Sequence, residues 1–204
     1  MAMLQTIADD IWGQPCLAYH VQPGLNSETQ AALADLQQRI AGCWPFPLHL
    51  CPPKALHVTI YALVPVKAEF DKESYWRMIA EPCRSLLEDL CTGHGALELR
   101  FFKINVTNTA IIAVARDETG LIEAIRQRIA DRIPPPPGHK PLRYNLIHTT
   151  LARYPSSEPV SGSMIEQIES LPVAVPASVE RIKLIRETLF LCQVTSEIAS
   201  IPLR

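Results

Sequence analysis

The 204-residue chain has no apolar stretch approaching the roughly 20 residues that span a bilayer, no C-x-x-C pair and no block of basic residues. The first absence argues against a membrane span. The last argues against a surface built to grip long nucleic acid by its backbone. The first fifteen residues carry Asp9 and Asp10 but no Lys or Arg, and no continuous apolar core of a signal peptide. Cytoplasmic residence is therefore expected. Cys16, Cys43, Cys51, Cys83, Cys91 and Cys192 could in number form three disulfides, yet in that setting they are expected to be free and mostly buried. Cys43, His49, Cys51 and His57 cluster along the chain, but their gaps fit no zinc spacing, so no metal and no cofactor are expected. Charge is also scarce in either direction. Lys and Arg number 19 against 21 Asp and Glu, a formal −2, which still allows a small anion in a local pocket.

With 48% hydrophobic residues the chain can bury a large core. No linker or shift in composition divides it, so one domain over residues 1–204 is expected, with 1–15 as an N-terminal extension. Residues 16–21 read as a strand closed by Pro23 and Gly24. Ser27 and Gln30 fit a capping box for a helix carrying Ala31, Leu33, Leu36 and Ile40, which stops at Gly42. Pro45, Pro47, Pro52 and Pro53 stiffen a loop that leads into a strand over 56–63. A helix is expected over 71–90, kinked or split at Pro82. Strands at 96–104 and 109–115, a helix at 121–133, and a strand at 145–154 follow. Four prolines at 134–137 form a stiff connector before that last strand. A short helix at 164–171 and strands at 179–185 and 197–203 close the chain. This mixed order predicts α+β.

One short pattern occurs twice, as Leu56-His57-Val58-Thr59-Ile60 and Ile147-His148-Thr149-Thr150-Leu151. Six histidines and eleven threonines in a chain of this length predict roughly a third of one His-x-Thr match by chance. On a strand, His57 and Thr59 share a face, as do His148 and Thr150. Val58 and Ile60 turn to the core behind the first pair. Thr149 and Leu151 do so behind the second, with Thr149 the less comfortable of the two. Two imidazoles can supply a base and an acid for cleaving a phosphodiester. Threonine hydroxyls can donate to the non-bridging oxygens as they gain charge.

The two motifs resemble those of the 2H phosphoesterase superfamily, in its bacterial branch of RNA 2′,3′-cyclic phosphodiesterases, also called 2′-5′ RNA ligases. The stretch from Cys51 through Pro52, Pro53 and Lys54 to Ile60 is similar to that family's first motif. His148 to Arg153 is similar to the second, although Ile147 stands where relatives often carry proline. The resemblance implies a bilobal α+β fold in which two antiparallel sheets, flanked by helices, surround a central cleft with pseudo-twofold symmetry. It implies metal-independent opening of a 2′,3′-cyclic phosphate to a 2′-phosphate, with His57 and His148 catalytic and Thr59 and Thr150 holding the phosphate. Linear 2′-5′ linkages, an ADP-ribose cyclic phosphate, or nucleotide binding without turnover are the alternatives. The expected partner is a nucleotide or short RNA substrate. The chain is expected to be a monomer, with no membrane and no obligate protein partner.

Other residues enter as candidates for substrate contact. A regular strand would aim Arg153 away from His148, unless the strand end bends before Pro155. Tyr19 and His20 end the first strand, where relatives can place a residue that stacks on the base. Tyr61 falls on the face of His57 and Thr59. Lys54, His139, Lys140 and Arg143 flank the motifs, where solvated loop charge is the simpler reading.

Overall fold

The computed structural model describes residues 3–204. Its first half contains β1 (Met3–Gln5), β2 (Pro15–Pro23), α1 (Ser27–Cys43), β3 (His49–Leu50), β4 (Tyr61–Val64), α2 (Lys72–Cys91) and β5 (Leu97–Val106). Then come β6 (Ala110–Asp117), α3 (Leu121–Arg132), β7 (Ile147–Arg153), β8 (Pro159–Ser161), α4 (Gly162–Glu169), β9 (Val175–Val179), β10 (Arg181–Leu189) and β11 (Val194–Pro202). Two antiparallel sheets dominate, one of four strands ordered β11-β10-β2-β4 and one of five ordered β3-β7-β6-β5-β9. Helix α2 lies against β2, β10 and β11, and α1 against β7 and β9. This is the α+β class expected from the order of elements.

The amphipathic pattern explains the packing. From α1, Leu33, Leu36 and Ile40 enter the core, and from α2, Trp76, Ile79 and Leu87 do. Pro82 does not split α2, which runs unbroken from Lys72 to Cys91; Pro82 and Met78, whose carbonyl it leaves without an intrahelical donor, both lie on the exposed side. Asn26, not Ser27, caps α1, its Oδ1 accepting from the Thr29 N–H at 2.8 Å. Gly42 lies within the helix, which ends at Cys43.

The N-terminal extension joins the same body. β1 pairs with β8, and the N–H groups of Ile7 and Asp9 donate to the carbonyls of Asn108 and Tyr154 at 2.7 and 2.8 Å. All six cysteines are free. Among the described residues no helix is long and apolar enough to cross a membrane.

One difference from the expected strands bears on function. The strand expected over 56–63 is instead Tyr61–Val64. The prolines at 52 and 53 start a 3₁₀ turn at Pro53–Ala55, and residues 56–60 then run as irregular chain. Val58 makes a single antiparallel bridge to Thr149 in the five-stranded sheet. The Ile60 N–H donates to Val21 O, 2.8 Å away in the four-stranded sheet. The first motif is therefore the strap that crosses from one sheet to the other.

Candidate active site

The Val58–Thr149 bridge fixes how the two motifs meet. In an antiparallel pairing of that register, His57 lies opposite Thr150 and Thr59 opposite His148. Directly opposed residues sit about 4.5–5.5 Å apart at Cβ. Val58 and Thr149 are buried at 0% and 1% exposure, while the four residues flanking them are half-buried. Both His/Thr pairs thus emerge on one face of the seam between the sheets.

The register of β7 extends that face. His148, Thr150 and Arg153 pair with Val114, Ile112 and Ala110 of β6. Those three apolar residues form a small cluster of their own, apart from the main core that holds Ile111, Ala113 and Ala115. Arg153 reaches this side because β7 carries a bulge at Leu151, where the register slips between Ile111 and Ile112. The extra residue reverses the alternation. The sequence suggested a bend at the strand end before Pro155; the turn of Arg153 comes instead from this bulge inside β7. The Arg153 guanidinium lies 5.9 Å from the centre of the Phe190 ring, with its Nε 3.7 Å from the Asp9 carboxylate.

On the four-stranded sheet, Tyr19 and His20 part company. His20 pairs with Ala62 and Ile185, and its ring centre lies 6.4 Å from that of His57. Tyr19 points the other way. It stacks on Trp76 of α2 at 4.1 Å and donates from its hydroxyl to Glu73, 3.1 Å away. Tyr61 pairs with Val21 on that same far side, packs beside Tyr144, and accepts from the Leu142 N–H at 3.3 Å. Alternation from His57 failed for Tyr61 because the intervening chain is not a strand.

Four residues around the two motifs were not foreseen, three of them beside His57. Its Nδ1–H donates to the Ala55 carbonyl at 2.7 Å, which leaves the Nε2 lone pair facing Cys192 Sγ, 3.5 Å away. Gln22 Nε2 donates to the same sulfur at 3.4 Å. Glu187 accepts from His20 Nε2 at 2.6 Å through one oxygen and from the Cys192 N–H at 2.7 Å through the other. Phe190 and Cys192 both belong to the loop between β10 and β11, which therefore lies beside both motifs. No local spacing links residues 20, 22, 187 and 192, so no motif could have shown them.

The fourth is Arg126, from α3. Its Nε donates to the Ile60 carbonyl at 3.0 Å and an Nη to the Leu146 carbonyl at 2.9 Å, and its plane sits 4.6 Å from the centre of the Tyr144 ring. One buried guanidinium thus ties the last residue of the first motif to the residue before the second. In sequence, Arg126 reads as an ordinary helix charge.

Burial dominates the electrostatics. It depresses the His57 pKa to about 4, against the Ala55 hydrogen bond and with help from the imidazoles of His20 and His148. Burial also lowers that of His148, and the cations of Arg153 and Arg126 lower it further. Burial alone would raise the Glu187 carboxyl, but the His20 and Cys192 hydrogen bonds outweigh it and hold it below its usual value. Lys54, His139, Lys140 and Arg143 are all exposed. His139 packs on Phe70 near the proline connector, and only Lys54 lies next to the Cys192 loop.

No family model and no curated protein sequence matches the chain. Solved structures do. TT0787 of Thermus thermophilus superposes with a TM-score of 0.65 at 20% identity, over 92% of this chain and 98% of its own. LigT of E. coli in complex with 3′-AMP superposes with a TM-score of 0.58 at 12% identity, over 93% and 99%. The chain has the fold of LigT. A structure described as a phosphoesterase matches as well, with a TM-score of 0.58 at 13% identity, over 91% of this chain and 98% of that one. The likeness to LigT and its neighbours runs nearly end to end in both directions, so the fold is shared whole rather than as a common fragment.

Proposed function

We propose that the protein is a metal-independent phosphoesterase that hydrolyses a 2′,3′-cyclic phosphate, on a nucleotide or RNA end, to a 2′-phosphate. The observation that carries this is the Val58–Thr149 bridge, which brings two His/Thr pairs to one face. His57, with Nδ1 committed to the Ala55 carbonyl, offers Nε2 to take a proton from water. The Cys192 thiol now beside it is a weak donor that water can displace. His148, across the seam, protonates the leaving ribose oxygen. Charge arriving with the phosphate favours its protonated form, against the burial and cations that disfavour it in the free protein. Thr59 and Thr150 each lie opposite the other motif's histidine and donate to the non-bridging oxygens. Arg153 adds a cation on the same face.

The LigT fold supports this reading, since LigT of E. coli has been crystallised with 3′-AMP and with phosphate. The near-neutral total charge favours short substrates over long RNA. The test is a panel of 2′,3′-cyclic mononucleotides, cyclic-ended oligonucleotides and 2′-5′ dimers, incubated with pure protein in excess EDTA. Release of a 2′-phosphate from a cyclic substrate is the expected result. Tight binding of cyclic nucleotides with no turnover would instead make the protein a binding module.

A further inference from the structure

The loop between β10 and β11 brings a second chemistry to the site. One ligand atom each from His20, Glu187 and Cys192 lies within 4.8 Å of the other two. The three residues are 7%, 1% and 6% exposed. We propose that His20, Glu187 and Cys192 form a binding site for a zinc-type divalent cation, with His57, which now meets only the sulfur of the three, turning in as the fourth ligand so that occupancy blocks the acid-base pair.

The donor set fits that class of ion. One thiolate, imidazole nitrogens and one carboxylate oxygen select zinc or cobalt over magnesium or calcium, which prefer oxygen alone. A thiolate and a carboxylate balance the charge of a divalent ion. Zinc–sulfur and zinc–nitrogen bonds of about 2.3 and 2.0–2.1 Å at tetrahedral angles give a sulfur–nitrogen edge of about 3.5 Å. The distance from Cys192 Sγ to His57 Nε2 is 3.5 Å.

The surroundings hold these atoms in place. Gln22 donates to the sulfur, and the Cys192 N–H fixes one oxygen of Glu187 while the other faces His20, its fellow ligand. Cys192 also lines a surface hollow of about 630 Å³ together with Lys54, Ala55 and Gln193, the side from which an ion would approach. Binding has a definite proton balance. The cation displaces the thiol proton of Cys192 to solvent. The Nε2 proton that His20 gives Glu187 passes to His20 Nδ1, which has no hydrogen-bond partner among the described residues, so that the neutral imidazole ligates through Nε2. The His20–Glu187 contact, 2.6 Å as a hydrogen bond, widens to the edge of about 3.4 Å that nitrogen and oxygen ligands span.

Occupancy ties up the Nε2 lone pair of His57. That consequence rests on the proposed function; the binding itself does not. Cobalt(II) titration of the full chain under reducing conditions separates the two. The parent should develop a thiolate-to-cobalt charge-transfer band that saturates at one equivalent and is abolished by zinc. Cys192→Ser should lack the band while keeping the parent's circular dichroism, and Glu187→Gln should weaken cobalt binding at least tenfold. If Cys192→Ser is misfolded, the Glu187→Gln arm and the stoichiometry decide. No band in the parent, a band retained in folded Cys192→Ser, or unchanged affinity in Glu187→Gln overturns the site. Turnover of a cyclic nucleotide should fall in step with the band, and turnover unaffected at saturation overturns the block. A parent that binds cobalt at this site but never turns over a cyclic nucleotide would refute the proposed function alone.

Discussion

Val58 and Thr149 form the one β-bridge that joins the first histidine motif to the second. The acid-base arrangement proposed for the site follows from its register. A slip of one residue would turn His57 and Thr59 into the core and leave Val58 facing the second motif.

The bridge contains a buried hydroxyl. Thr149 is 1% exposed, and its Oγ1 has no hydrogen-bond partner among the described residues. Thr149→Val keeps the β-branched shape and removes the unsatisfied oxygen. It should raise unfolding stability by about 1 kcal/mol, read from urea denaturation at unchanged slope. A loss of that size instead would mean that the hydroxyl is bonded in solution.

Arg126 should hold the two motifs in relation to each other. Arg126→Met keeps much of the side-chain volume but leaves the carbonyls of Ile60 and Leu146 without their donor. A cost of about 2–4 kcal/mol follows from two buried carbonyls losing a charged partner. Arg126→Lys should recover little, because an ammonium cannot span both carbonyls as a planar fork does. Stability within about 0.5 kcal/mol of the parent, the scatter of a surface substitution, would remove Arg126 from this role.

The second histidine should report the cations near it. Burial comes first in lowering the His148 pKa, and the Arg153 charge comes next. Arg153→Gln removes that charge, so the pKa should rise towards the ordinary imidazole value. The sign for stability follows. A depressed folded pKa means the unfolded chain binds the proton more readily, so this contribution is present above the unfolded value and fades as pH falls through the folded one. Arg153→Gln should narrow that acid-side loss. Histidine NMR titration gives the pKa directly, and an unchanged or lower value in the variant would place Arg153 away from His148.

The sequence made the chemistry easier to read than the geometry around it. His57, Thr59, His148 and Thr150 stood out because a rare pair of residue types recurred at one spacing. The helices were legible from apolar periodicity, and the error at the start of α1 was a single residue, Asn26 against Ser27. What failed was alternation. It mispredicted Tyr61 because residues 56–60 cross between sheets, and it could not settle Arg153 because a bulge at Leu151 leaves no mark in composition. His20, Glu187 and Cys192 meet only through tertiary folding.

Tyr19 and Tyr61 offer a negative control. Both lie on the side of the four-stranded sheet away from His20. Tyr19→Phe and Tyr61→Phe should leave turnover within about twofold of the parent, since each loses only a hydrogen bond remote from the reacting atoms, worth about 1 kcal/mol of stability. A tenfold fall in turnover for either folded variant would mean that its hydroxyl reaches the substrate.

The central claim is that His57 and His148 act as one acid-base pair without a metal. Single-turnover hydrolysis of a 2′,3′-cyclic nucleotide in excess EDTA tests it most directly, on the parent, His57→Ala and His148→Ala, with circular dichroism as the folding control. Positioned proton transfer contributes about 10² to 10⁴-fold per group. The parent should therefore remain active under chelation, and each variant should fall by a factor in that range while staying folded. Folded histidine variants that match the parent rate, or a parent silenced by EDTA and restored by zinc or manganese, would contradict the account.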